Sequence, residues 1–199
     1  MNSHWHCHGK IFLYIFISFI VLIAIYLTVF ELLLHHFHFS LNSEINKPTV
    51  NSSIWRYLLH QKYIAFIDLD LLTIHEKRHL LDVKRVLNKT AILWITFSSL
   101  SFFILIVFFR KIVKIIALLG MALNGLFLLL TFNFLNAFQF FHTLFFRHQS
   151  WVFLKDSLLI ECFPLLYFQE FLAFFLLLTS LIFFIFLKIR LKFINIIQE

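Results

Sequence analysis

Four uninterrupted apolar runs dominate this chain: Ile11 to Leu34, Ala91 to Phe109, Ile115 to about Phe138, and Leu165 to Leu187. Each reaches about 19 residues or more, enough to cross a hydrocarbon core of roughly 30 Å as an α-helix rising 1.5 Å per residue. A backbone in hydrocarbon must satisfy its own hydrogen bonds, so runs of this kind are helices. The composition agrees: 61% of the residues are hydrophobic, and 30 Phe stand against 3 Gly in 199 positions. The expected fold is therefore all-α, a polytopic membrane protein of one integral domain with four transmembrane helices at 11–34, 91–109, 115–138 and 165–187. The first run is too long for the apolar core of a secretory signal and has no small-residue cleavage site, so it is expected to remain as an anchor.

Basic residues orient the spans. Arg110, Lys111 and Lys114 crowd the short link between the second and third runs, and Lys188, Arg190 and Lys192 follow the fourth. The positive-inside tendency makes both flanks cytoplasmic, which places both termini inside and leaves 35–90 and 139–164 outside. Region 35–90 also holds eight Lys/Arg, but it is long and carries Glu44, Asp68, Asp70, Glu76 and Asp82, so it reads as a mixed-charge helical region. The formal net charge of +7 then implies contact with anionic lipid. With no basic stripe interleaved with aromatics, nucleic acid is not an expected partner. In this topology Cys7 and Cys162 lie on opposite sides of the membrane, which precludes an intrachain disulfide.

Within 35–90, Asn46-Lys47-Pro48 marks a turn. Ile54 to Ile67 is an amphipathic stretch whose Trp55, Tyr57 and Tyr63 suit the headgroup layer. After Asp68-Leu69-Asp70 a second helix is expected from Thr73 to Leu87, because Thr73 and Glu76 form a capping-box pattern. Its first turns spell His75-Glu76-Lys77-Arg78-His79, the H-E-x-x-H of a zinc protease, in which the two His would ligate one metal and Glu76 would activate its water. Lys77 and Arg78 place two cations beside the dication, and no third ligand is evident; His142, His148 and Glu161 are available only by elimination. A chain with 11 His produces the pattern by chance on the order of a few per cent of the time.

Three residues further on, a different chemistry is written on the same helix. Glu76, His79 and Asp82 fall at steps of three, so one stripe sets two carboxylates beside an imidazole. Such partners fix a tautomer and stabilise the protonated ring of a general base. A solvated helix face accounts for the stripe equally well. The third run ends in a second polar stripe, Asn133, Asn136, Gln139 and His142, which should face other helices or a hydrated cavity because polar groups facing lipid are costly. Interhelical hydrogen bonding explains Asn124, deeper in that run. It does not require a His at the mouth.

The remaining histidines read more simply. His4, His6 and His8 around Cys7 could bind a transition metal, but i, i+2 spacing in a short tail is more often incidental, and His35, His36 and His38 read as interfacial anchors ahead of ligands. The second and fourth runs contain no His, which leaves a haem too few axial ligands.

Taken together, Glu76-x-x-His79-Leu80-x-Asp82-Val83-Lys84, Phe141-His142-x-x-Phe145-Phe146, Trp151-x-Phe153 and Asp156-x-Leu158-Leu159-Ile160-x-x-Phe163-Pro164 resemble the lipoprotein intramolecular transacylase family of Gram-positive bacterial integral membrane proteins. The resemblance covers roughly residues 10 to 190. Leu80 stands where the family often has Met, a volume-conserving exchange. What the resemblance implies is an acyltransferase that moves the sn-2 acyl chain of a diacylglyceryl-modified N-terminal Cys onto the α-amino group of the same Cys, giving a lyso-form lipoprotein.

His79 and His142 are then the catalytic pair at the extracytoplasmic leaflet, and His75 is a bystander. Glu76, Asp82, Gln139, Arg147 and Trp151 are expected to orient the imidazoles or position substrate, with Gln139 or a backbone N–H near Thr143 supporting the oxyanion. The partners implied are diacylated bacterial lipoproteins and membrane lipid; no cofactor and no metal are expected. A membrane zinc protease and a non-enzymatic membrane partner protein are the competing readings.

Overall fold

The computed structural model describes residues 3–38, 48–59, 71–146, 150–154 and 156–198, and among them every regular element is an α-helix. In chain order these are α1 (Ser3–His36), α2 (Pro48–Leu59), α3 (Ile74–Thr131), α4 (Phe134–Phe145), α5 (Leu158–Cys162) and α6 (Leu165–Gln198). Three stretches are long and apolar enough to cross a membrane: Lys10–His36, Ile74–Thr131 and Leu158–Ile189. They leave large side chains such as Phe12, Ile92, Phe103, Ile106 and Leu177 exposed. A surface this apolar is stable in hydrocarbon and not in water.

The chain forms two compact units. The first comprises residues 1–32, 92–129 and 174–199; the second comprises 33–91 and 130–173.

Contacts in the first unit show that α3 reverses direction. Trp94 Nε1 donates to Thr28 Oγ1 at 3.1 Å, Ser101 Oγ donates to the Ile20 carbonyl at 3.4 Å, and Tyr14 packs on Phe108 at 6.3 Å, so α1 and the first half of α3 run antiparallel. Yet Tyr26, two residues from Thr28, donates to Asn124 Oδ1 at 2.8 Å and to the Gly120 carbonyl at 3.2 Å. In a straight helix Trp94 and Asn124 would stand about 45 Å apart at 1.5 Å per residue. The helical run therefore doubles back near Arg110, Lys111 and Lys114, the basic cluster that separates the second and third apolar runs.

Around that reversal Ile17, Val21, Leu22, Ile112, Ile116 and Phe183 form the core. Gly120 lets α6 approach closely, because a Cβ there would overlap the Phe183 ring. Next to it Asn124 Nδ2 donates to Thr179 Oγ1 at 3.0 Å and Ser180 Oγ at 2.8 Å while its oxygen accepts from Tyr26. Every polar atom of that amide is used in bridging three helical passes, the interhelical role expected for Asn124.

The third apolar run departs from expectation at its end. Instead of continuing helically to Phe138, the chain breaks after Thr131, with Asn133 at φ −131° and ψ 57° and its carbonyl accepting from Ala137 N at 3.1 Å to begin α4. Asn competes for helical backbone partners and favours such positions. The polar stripe is thereby split: Asn133, Asn136 and Gln139 are exposed, and His142 alone is buried.

In the second unit, α2 begins at Pro48, whose fixed φ and missing N–H suit a first helical position. Trp55 and Tyr57 do not reach outward as headgroup anchors. Both are buried with Val50, Asn51, Ile54 and Leu58 on one helix face. Trp55 Nε1 donates to the His38 carbonyl at 3.0 Å, its ring stacks on His38 at 4.7 Å, and Lys84 Nζ sits 4.2 Å over Tyr57. Asn46, Lys47, Tyr63, Asp68, Asp70, Arg147 and His148 lie outside the described residues, as do the side chains of the His4, His6, Cys7 and His8 tail.

The close approach at Gly120 gives a direct test. Gly120→Ala lowers the melting temperature in detergent because the new methyl meets the Phe183 ring, and adding Phe183→Leu recovers part of the loss. Equal melting temperatures for the wild type and Gly120→Ala would contradict this packing.

Candidate active site

The second unit builds a site from the start of α3 upward. Thr73 precedes the helix, and its N–H and Oγ1 both donate to Glu76 Oε2, at 2.7 and 2.8 Å, while Glu76 N–H donates to Thr73 Oγ1 at 3.3 Å. This is the reciprocal capping box expected from the sequence. The other carboxylate oxygen leaves the helix. Oε1 accepts from Ser157 Oγ at 2.5 Å and from Leu159 N–H at 3.3 Å, at the start of α5. Burial alone would push this carboxyl up, but the donors from Ser157, Thr73 and Leu159 outweigh it and hold Glu76 below the ordinary carboxylate range.

One turn beyond Glu76, and ahead of the apolar stretch that begins at Ala91, His79 is buried on the same helix. Its ring stacks against that of His142 from α4, with centroids 6.3 Å apart and planes 23° from parallel. No hydrogen bond joins the two rings. Aromatic side chains complete the surroundings. Phe146 lies 4.8 Å from His79 and 5.3 Å from His142, Phe153 lies 5.3 Å from His79, and Phe138 and Trp151 lie 4.0 and 5.2 Å from His142.

The two imidazoles differ in what they bond. His142 Nδ1 lies 2.8 Å from the Phe138 carbonyl, which can only accept, so Nδ1 carries the proton and Nε2 keeps a lone pair. His79 Nδ1 is buried with no partner. Burial holds His142 below the usual imidazole range, offset in part by its bond to Phe138. For His79 burial is again the largest cause, reinforced by His142 and His75 and opposed by Asp82, and it is pushed down to about 4. Both rings are therefore neutral at pH 7, with free lone pairs in a largely apolar enclosure.

The other candidate residues fall into place around this pair. Asp82 neither caps nor hydrogen-bonds His79; it pairs with Arg85 at 3.1 Å and accepts from Ser150 Oγ at 3.5 Å, acting on His79 through its field. Glu76 likewise spends its oxygens on the two helix starts and not on an imidazole. Gln139 is exposed, and Arg147 lies outside the described residues.

His75 Nε2 donates to the Val152 carbonyl at 3.2 Å, and its ring packs on Phe153 at 5.2 Å. That nitrogen is committed to a carbonyl and offers no lone pair to a metal. Among the described residues no group of three His, Cys, Asp or Glu is placed to hold one.

Sequence reasoning did not find Ser157 or Phe138, and it met Phe146 and Phe153 only as motif letters of the family resemblance, without a role. Ser157 had a usable signal, since Ser favours the position ahead of a helix and its Oγ accepts from Leu159 N–H at 3.3 Å. Phe138 had none, being lost among 30 of its kind.

With that pair in view, the model of the lipoprotein intramolecular transacylase family, Lit, matches residues 7–168. The chain belongs to this family. Among solved structures, the membrane-integral lipoprotein intramolecular transacylase Lit from Bacillus cereus superposes with a TM-score of 0.77 at 17% identity, covering 95% of this chain and 99% of that one. At that identity the likeness speaks for the fold. No curated protein matches the chain. The matched range includes the segments that carry His79 and His142.

The depressed basicity of His79 sets a stability window. An unfolded His titrates near its ordinary value of 6.5, whereas folded His79 stays neutral down to about 4. As pH falls through that interval the unfolded chain gains a proton that the folded chain refuses, so stability is lost toward acid. His142 contributes in the same direction, and Glu76, held low, adds its loss only below its ordinary value of 4.5. Melting temperature in detergent is expected to fall steadily from pH 6.5 to 4.5, with a smaller slope in His79→Phe. An identical slope in the two proteins would remove His79 from this account.

Proposed function

We propose that this chain carries out the O-to-N acyl shift of its family: the sn-2 ester chain of a diacylglyceryl-Cys moves to the α-amino group of the same Cys. The observation that carries the reading is the stacked, buried and neutral pair His79 and His142, with His142 Nε2 available as a base. Ester and amine belong to one substrate residue. The enzyme therefore supplies a folded near-attack geometry, an advantage worth about 7–11 kcal/mol at the ideal limit.

In the proposed sequence the amine nitrogen attacks the ester carbonyl carbon and the carbonyl π electrons move to oxygen. His142 Nε2 takes the proton that the nitrogen must lose. The carbon–oxygen bond to glycerol then breaks, and the leaving oxygen receives a proton passed through His79. The carbonyl re-forms as an amide, and both imidazoles end neutral, as they began. No external acyl donor, nucleotide or redox partner enters the balance.

For topology we infer four crossings, with the reversal of α3 at Arg110–Lys114 cytoplasmic and both termini on the same side. The basic residues at that reversal and after span four support this orientation. The histidine pair then lies at the extracytoplasmic leaflet, where a membrane-anchored lipoprotein presents its modified Cys. Diacylated lipoproteins are the substrates in this reading, and the fatty chains are expected to lie along the apolar surface.

Two measurements test it. Expressed in bacteria whose lipoproteins are diacylated, the chain yields lyso-form N-acylated lipoproteins by mass spectrometry; His142→Ala and His79→Ala each reduce that product by at least about 10²-fold while still inserting, and His75→Ala does not. Unchanged lipoprotein masses on expression of the wild type would end the transacylase reading, and loss of product in His75→Ala or on chelation would favour a metal. A single Cys at Lys10 or Lys111 in a Cys-free background is expected to resist a membrane-impermeant maleimide in intact cells. Labelling of either would overturn the orientation.

A further inference from the structure

Among the described residues, Trp151 brings to the site a hydrogen-bond donor that meets no acceptor. Trp151 Nε1 is buried and unpartnered, although its ring packs against His142 at 5.2 Å and 50°. An indole N–H can only donate, and leaving a buried donor unmet costs about 1–3 kcal/mol. Its position is not loose. Ser150, buried on one side, donates to Asp82, while on the other the Val152 carbonyl accepts from His75 and Phe153 packs on both His75 and His79. The 150–153 segment is thus held by α3 on either side of the indole, at the same helix turns that present His79.

The acyl shift creates a need for such a donor. When nitrogen attacks the ester carbon, a full negative charge gathers on the former carbonyl oxygen, and an enclosure lined by Phe138, Phe146 and Phe153 offers it little. Gln139 is exposed; Thr143 Oγ1 donates to the Phe140 carbonyl at 2.8 Å, and its amide lies inside α4, where the helix ladder uses it.

We propose that Trp151 Nε1–H is the oxyanion donor of this site, hydrogen-bonding the carbonyl oxygen of the migrating acyl group as it becomes an alkoxide and releasing it when the amide forms. The assignment rests on the transacylase reading and adds a residue that touches the reacting atoms. It explains the unmet donor: its acceptor arrives with the substrate. A preset donor in an apolar enclosure needs no reorganisation at the moment of reaction, which is where such groups contribute most.

The test uses full-length protein in detergent with a synthetic diacylglyceryl-Cys lipopeptide. Trp151→Phe, which keeps an aromatic wall and removes the N–H, is expected to lower kcat by about 10²–10³-fold with KM nearly unchanged, the scale for loss of one oxyanion donor. Site-specific replacement of Trp151 by benzothienylalanine, which puts sulfur where the N–H stood and preserves the bicyclic shape, should show the same kcat loss with an unaltered melting temperature. It decides the matter if Trp151→Phe fails to fold. A kcat within threefold of wild type for benzothienylalanine, or a loss confined to KM, overturns the assignment and leaves Trp151 as an aromatic wall of the site. In either case His142→Ala remains inactive and wild type still forms N-acyl product; absence of product from wild type would instead sink the transacylase reading itself.

Discussion

Both oxygens of the Glu76 carboxylate are occupied, one by the start of α3 and the other by the start of α5, and the second unit is arranged around that division of labour. A capping box fixes where a helix begins, and therefore which way each later residue faces. With Thr73 as the cap, Glu76 and His79 fall on neighbouring turns of one buried face. The bond from Ser157 then ties a segment 81 residues away to that face, bringing Trp151 and Phe153 with it. A carboxylate kept ionised among several donors is a strong and directional joint, because charge-assisted bonds exceed neutral ones. Removing it would loosen the helix start and the aromatic wall together.

The histidines obey the opposite rule. Glu76 is buried and kept charged by donors; His79 and His142 are kept neutral by burial itself, opposed only in part by the field of Asp82 on His79 and the Phe138 carbonyl on His142. Flanking carboxylates, as the sequence stripe suggested, would have favoured imidazolium. Instead the carboxylates turn to Ser157 and Ser150, and the rings meet phenyl faces and each other. Two protonated imidazoles at 6.3 Å in this surrounding would repel strongly, so protonation of either opposes protonation of its neighbour. That coupling suits a pair that moves a single proton.

Much of this was legible in the sequence because two kinds of pattern carry their physics locally. Apolar runs declare helices in hydrocarbon regardless of partner, and Thr73 with Glu76 declares a helix start. The reversal in α3 was written as charge, since Arg110, Lys111 and Lys114 interrupt the part of that helical run, from Ala91 onward, that is otherwise apolar. What escaped were features decided by packing. The break at Asn133 interrupts a run whose hydrophobicity continues on both sides, so periodicity passes over it. Trp55 and Tyr57 look like interfacial aromatics, yet burial against His38 and Lys84 depends on segments distant in sequence. The division of His142 from Asn133, Asn136 and Gln139 follows from the same break, which resets the helix face.

A weak base is the right instrument for the chemistry this pair would perform. An amine that has begun to bond to an acyl carbon resembles an ammonium with an electron-withdrawing neighbour and gives up its proton readily, so strong basicity is not needed. Availability is: a ring that rests protonated must first shed its proton, and one with a mobile tautomer presents the wrong nitrogen part of the time. Burial removes the first loss by keeping His142 neutral, and the Phe138 carbonyl removes the second by holding Nδ1–H. The carbonyl that fixes the tautomer belongs to the helix turn that precedes His142, so the orientation is set within α4. The break at Asn133, which frees that helix to turn its imidazole inward, thus connects an irregularity in an apolar run to the lone pair on Nε2.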